Sequence, residues 1–169
     1  AIIDLGSNTF NLLISEKKKG GSRHIIFKTK VPVMLGKGGF QEKRLTPEAV
    51  NRGMAALAKY KKTIEKHGAE KTFAFATSAV RSAANGTVFV ERVRDELGIE
   101  IHVISGDREA ELIYFGVRKA VNLGEKPCLI MDIGGGSAEF IIADAETIFW
   151  KHSYDLGVSR LLEIIKPSD

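Results

Sequence analysis

The sequence predicts an α/β protein: a mixed sheet flanked by helices, followed by the start of a second unit of the same kind. Three observations carry this. Short apolar runs of strand type open the chain, helical and strand periodicities then alternate to about residue 120, and the opening pattern returns after Pro127. Alternation of this sort implies a sheet with crossover helices.

The first strands are read at Ile2-Ile3, Phe10 to Ser15 and Ile25 to Val33. Lys17, Lys18 and Lys19 before Gly20-Gly21-Ser22 read as a solvated hairpin tip between the last two. Thr46-Pro47-Glu48 is a strong helix start, with a capping hydroxyl and a proline at the first helical position. Val50, Met54, Leu57 and Ile64 then keep helical spacing until Gly68. Thr72 to Thr77 reads as a strand, Thr87 to Leu97 as a helix, Ile99 to Ile104 as a strand and Asp107 to Val121 as a helix.

The repeat is specific. Asp4-Leu5-Gly6 matches Asp132-Ile133-Gly134 at an offset of 128 (132 − 4), and Leu12-Leu13-Ile14 meets Phe140-Ile141-Ile142 at the same offset. The second copy continues through Ile148 to Tyr154 and a short helix near Val158 to Ile165. The expected division is a whole first domain over residues 1–124 and the beginning of its twin over 125–169, joined near Gly124 to Pro127. A three-stranded start leaves apolar faces uncovered, so the natural protein is expected to be longer.

Composition narrows the class. A hydrophobic share of 44% and a charged share of 27% are ordinary for a soluble domain. No apolar run approaches the ~20 residues of a membrane span, and no basic, aromatic-interleaved module suggests nucleic acid. The lone Cys128 sits in an apolar run and reads as a core residue, which points to a cytoplasmic location. The net charge of +4 favours anionic partners without naming them.

Two matched strand–turn–strand hairpins, each with Asp at a strand end and Gly in the turn, suggest a phosphate clamp. Gly134, Gly135, Gly136 and Ser137 offer successive N–H donors, and Ser7, Asn8 and Thr9 offer side-chain donors; facing each other across a cleft, the two could grip a phosphate chain. Gly-Gly-Gly-Ser leads into a strand rather than a helix, which disfavours a dinucleotide site. Asp4, Asp132 and Glu139 are natural oxygen ligands for Mg2+ near such phosphates. Arg81, between a strand and a helix, has a planar fork able to reach phosphate. Glu109 lies in the first turn of a helix, where the dipole favours a carboxylate; Glu111 is on a different helical face, and sequence alone leaves the choice open. The four histidines lack metal-ligand spacing, and no Ser-His-Asp or Cys-His constellation is apparent.

IDLGSNTFNLLI, TSAVRSAANG, VISGDREAELIYFGV and IMDIGGGSAEFII resemble, in order and spacing, the signature blocks of the exopolyphosphatase and guanosine pentaphosphate phosphohydrolase (Ppx/GppA) family, within the actin-like ATPase superfamily. The match runs from residue 2 to about 165. The resemblance implies ribonuclease-H-like domains around a cleft, polyphosphate or a guanosine polyphosphate as substrate, and Mg2+ as cofactor. By motif position Glu109 looks like the base that activates water and Arg81 like the phosphate-gripping arginine. Asp132 and Glu139 look like residues that organise Mg2+ and water, and Gly134 to Ser137 like the second phosphate loop. Arg108 stands where many relatives carry an acidic residue. The expected reaction is Mg-assisted water attack on a terminal phosphoryl group. An ATP-dependent kinase of the same fold and a non-catalytic polyphosphate or alarmone sensor are the alternatives. The oligomeric state is left open, a homodimer included.

Overall fold

A computed structural model describes residues 1–18 and 23–165. The expected hairpin tip falls partly outside: Lys17 and Lys18 are described, whereas Lys19 to Ser22 are not.

Strands β1 (Ile2–Leu5), β2 (Thr9–Lys17) and β3 (Arg23–Pro32) form an antiparallel meander. After a run of turns comes helix α1 (Pro47–Lys66), then strand β4 (Phe73–Ala76), which pairs parallel to β1. Helices α2 (Ser78–Arg81) and α3 (Gly86–Leu97) follow, and strand β5 (Ile101–Val103) pairs parallel to β4. The resulting five-stranded sheet has the order β3-β2-β1-β4-β5. The start of α1 is the one its sequence dictates: the Thr46 hydroxyl accepts a hydrogen bond from the Ala49 N–H at 3.2 Å, and Pro47 occupies the first helical position. Ile3, Leu5, Phe10, Leu12 and Ile14 alternate inward from the strands and meet Leu57, Phe89 and Val93 from the helices, making the main core.

Helix α4 (Gly106–Ala120) leads to the second sheet, made of β6 (Cys128–Ile133), β7 (Ala138–Ala143) and β8 (Ile148–Tyr154) in that order, with both pairings antiparallel. A final helix α5 (Val158–Ile165) ends the described chain. Although α4 precedes residue 124, its buried Ala110 and Tyr114 pack with Ile130, Ile141 and Ala143 of the second sheet. The other face of that sheet presents Leu129, Met131, Ile133, Ile142, Trp150 and Tyr154 to solvent.

The repeat is visible in the backbone. In the first copy Leu5 pairs with Phe10 and the Gly6 N–H donates to the Thr9 carbonyl at 3.1 Å. In the second, Ile133 pairs with Ala138 and the Gly134 N–H donates to the Ser137 carbonyl at 2.9 Å. One turn geometry occurs twice.

Candidate active site between the two hairpin turns

The ends of the two sheets bring an acidic and basic cluster together. Arg81 closes α2, a helix of four residues and therefore too short to announce itself by periodicity. Ser105 caps α4 by accepting a hydrogen bond from the Arg108 N–H at 3.2 Å, which sets Glu109 in the first helical turn. Arg81 Nη1 donates to Glu109 Oε2 at 2.9 Å and to the Ile104 carbonyl at 3.0 Å. One of its nitrogens is thus committed to orienting the arginine, and the rest of the fork remains for other acceptors.

Glu109 and Glu111 separate clearly. Burial pushes the Glu109 carboxyl up to about 6, and the nearby Glu139 adds to the rise; Arg81 and its hydrogen bond oppose it. Glu111 instead faces Lys151 of β8 and Arg108, whose hydrogen bonds hold its carboxyl below the usual range. Arg108 is therefore engaged with Glu111 on the exposed side of α4, at 2.9 Å.

Glu139 is only 2% exposed. Across the sheet it lies in register with Asp132 on one side and Ser153 on the other. Ser153 Oγ donates to Glu139 Oε1 at 2.7 Å, so the buried carboxylate has a partner. In the first copy the equivalent cross-strand pair is Asp4 and Asn11, where Asn11 Nδ2 donates to Asp4 Oδ2 at 3.0 Å. The copies thus differ in one respect: Asp faces an amide in the first and a second carboxylate in the second. Partial burial raises the Asp4 carboxyl, the Asn11 amide opposes this, and Asp132 across the gap raises it further. Asp4, Asp132, Glu109 and Glu139 therefore share one field. Among the described residues no three His, Cys, Asp or Glu side chains form a ready-made metal cage.

The two turns touch each other, where the sequence suggested that they face across a cleft. A side-chain carbon on Gly135 would lie 2.6 Å from the Asn8 amide carbon, and one on Gly136 2.5 Å from the Ser7 hydroxyl. Ser159 Oγ donates to Asn8 Oδ1 at 2.7 Å across the same seam. Ser7 and Ser137 are buried there, at 4% and 3% exposure. Glycine at 135 and 136 thus has a second reason besides turn geometry: any side chain would push the lobes apart.

Beside the seam lies an open cavity of about 320 Å³, lined by Arg81, Ser105, Gly106, Asp107, Ser153 and Asp155. Its donors suited to an anion are the start of α4 and the free part of the Arg81 fork; Ser153, whose proton goes to Glu139, and the Asp107 and Asp155 carboxylates complete the lining. Gly106 is required here because a side-chain carbon would fall 2.5 Å from Ser153 Cβ.

Sequence reasoning missed Ser153 and Arg160. The alternation of Lys151 and Ser153 with His152 and Tyr154 along β8 puts the first two on the face toward α4, so a strand-period reading could have flagged Ser153. Arg160 carries no such signal, since its partners Gly136, Ser78 and Ser82 are 24 to 82 positions away.

Comparison with known proteins agrees with this architecture. The sequence pattern of the Ppx/GppA phosphatase family matches residues 13–169. Exopolyphosphatase 2 of Mycobacterium tuberculosis is 34% identical over 177 residues, covering 100% of this chain and 55% of the relative. A guanosine-5'-triphosphate,3'-diphosphate pyrophosphatase of Photobacterium profundum is 36% identical over 163 residues, covering 96% of this chain and 32% of the relative. The crystal structure of an exopolyphosphatase from Cytophaga hutchinsonii superposes with a TM-score of 0.96 at 41% identity, over 99% of this chain and 54% of that one. The chain thus spans about half the length of two of these proteins and a third of the other. Carrying the family pattern over almost all its length, and built on the mixed α/β fold expected from its alternating strands and helices, the chain belongs to the Ppx/GppA phosphatase family.

Proposed function

We propose that the protein of which this chain forms the described part is a phosphohydrolase that releases terminal orthophosphate from inorganic polyphosphate or guanosine pentaphosphate. The observation that carries the reading is the Arg81–Glu109–Glu139 cluster beside a cavity walled by Arg81 and the start of α4. Relatives named for either substrate support it.

In this reading a terminal phosphoryl group occupies the cavity, against the start of α4 and the free donors of Arg81. Glu109 takes the proton from the attacking water. A carboxyl raised to about 6 is ionised at neutral pH yet basic enough to accept that proton. Arg81 both orients Glu109 and neutralises charge on the phosphoryl oxygens, and positioning with charge neutralisation is most of what phosphoryl transfer asks of a protein. Glu139, fixed by Ser153, orients the water from the far side.

Asp4, Asp132, Glu109 and Glu139, close enough to feel one another's charge, would repel an anionic chain, so a cation is needed. The donor set fits Mg2+, which keeps several waters and takes one or two carboxylates plus phosphate oxygens. Asp132 and Asp4, which face each other closely enough for their charges to interact, would hold it, and it would supply charge neutralisation at the phosphates. The test is orthophosphate release by the intact protein, with Mg2+, from long-chain polyphosphate and from guanosine pentaphosphate. Release from at least one is expected; binding of both without release would contradict the reading and favour a sensor.

A further inference from the structure

The carbonyl groups of Gly134, Gly135 and Gly136 in the second turn are all taken up by the start of α5. The Val158 N–H donates to the Gly134 carbonyl at 3.0 Å. The Ser159 and Arg160 N–H groups donate to the Gly135 carbonyl at 2.9 and 3.1 Å. Arg160 Nε donates to the Gly136 carbonyl at 2.8 Å. These peptides are trans, so the N–H that shares a plane with each carbonyl points the opposite way. Anchoring the carbonyls of Gly134, Gly135 and Gly136 to the start of α5 therefore aims the N–H groups of Gly135, Gly136 and Ser137 together, away from α5. Three successive N–H groups turned to one side form an anion-binding nest.

The side-chain part of this anchor is Arg160. The residue is 6% exposed, and its guanidinium lies 4.7 Å from the centre of the Phe40 ring. Nη2 donates to Ser78 Oγ at 3.2 Å and to Ser82 Oγ at 3.1 Å, and pairs with Asp155 at 3.1 Å. Ser78 begins α2, and Ser82 directly follows Arg81. Three residues on, Glu163 accepts N–H bonds from Gly38 and Phe40 in the loop before α1. One buried fork therefore ties the Gly136–Ser137 peptide of one lobe to the helix that carries Arg81 in the other. Compact lysine could not span both sets of acceptors at once.

We infer that Arg160 is a positioning residue for phosphate binding: it fixes the direction of the Ser137 N–H and the distance between the nest and Arg81. It touches no reacting atom. The inference rests on the phosphohydrolase reading and adds to it a residue outside the cluster described above.

The experiment uses the intact protein with 15N-labelled glycine and serine, titrated with tripolyphosphate, beside steady-state phosphate release from polyphosphate. In wild type the amide signals of Gly135, Gly136 and Ser137 should shift on binding. In Arg160→Ala the Ser137 shift should be lost, while Gly135 and Gly136, aimed by backbone anchors that alanine keeps, still respond; KM should rise about tenfold or more, the scale of one charge-assisted hydrogen bond. The value of kcat should change far less, because Arg81 keeps its own anchors on Glu109 and the Ile104 carbonyl and a nest that holds phosphate grips the ground and transition states alike. Arg160→Lys keeps the buried charge and guards against a variant that does not fold. It should melt within a few degrees of wild type and still show the raised KM. Amide shifts and KM within twofold of wild type in a folded Arg160 variant would overturn the inference alone. A wild-type protein that neither binds tripolyphosphate nor releases phosphate would overturn the phosphohydrolase reading and this inference with it.

Discussion

Replacing Glu109 by Gln should make the protein more stable at neutral pH while removing its activity. Burial raises the carboxyl to about 6 in the fold against an ordinary 4.5. The folded state therefore prefers the protonated form. That preference stabilises the protein fully below about pH 4.5 and is lost as pH rises through about 6. At 1.36 kcal/mol per tenfold, the loss amounts to about 2 kcal/mol by neutral pH. Glutamine resembles the protonated carboxyl in shape, can still accept from Arg81, and carries no charge for Glu139 to repel. Glu109→Gln should then gain about 2 kcal/mol over wild type at pH 7.5 and almost nothing near pH 4. Urea unfolding of both proteins at the two pH values measures this directly. A gain equal at both pH values, or a loss at pH 7.5, would refute the electrostatic reasoning.

Other consequences are equally specific. Ser153→Ala should cost about 1.5–3 kcal/mol, since it strips the partner from the buried Glu139 carboxylate, and urea unfolding checks the figure. Gly106→Ala should displace the start of α4 from Ser153 and lower phosphate release by roughly tenfold or more, with a stability loss of about 1–3 kcal/mol. Thr46→Ala should lower stability by about 1 kcal/mol through loss of the α1 cap, with turnover unchanged.

How much of this was legible in the sequence depends on the range of the forces involved. Local chemistry was readable. The Thr46-Pro47 start of α1 and the paired turns at Gly6 and Gly134 follow from neighbours in the chain, and the structure has them where the residues put them. The choice of Glu109 over Glu111 was not readable from helix position alone. It depends on Arg81, 28 positions away, and on Lys151, 40 away, which draw the two carboxylates to different surroundings. Residue order was misleading for α4, which follows the first sheet in the chain but buries Ala110 and Tyr114 against the second. An amphipathic helix announces that it has an apolar face, not which sheet will receive it. The contact between the turns was likewise invisible, because two glycine-rich turns look the same whether they line a gap or close it. Arg160 is the extreme case: a charged residue in an apolar helix reads as a surface position, and only the assembled lobes show it buried with acceptors on every side.

The central claim is that Glu109, with its raised carboxyl, is the base in a phosphate-releasing site. The pH dependence of kcat/KM for orthophosphate release by the intact protein, measured for wild type and Glu109→Gln, tests it most directly. The account predicts a rate that climbs with pH through about 6 in wild type and falls at least ~10²-fold in the variant, with the inflection gone. A wild-type profile flat across that range, or near-normal turnover in the variant, would contradict it.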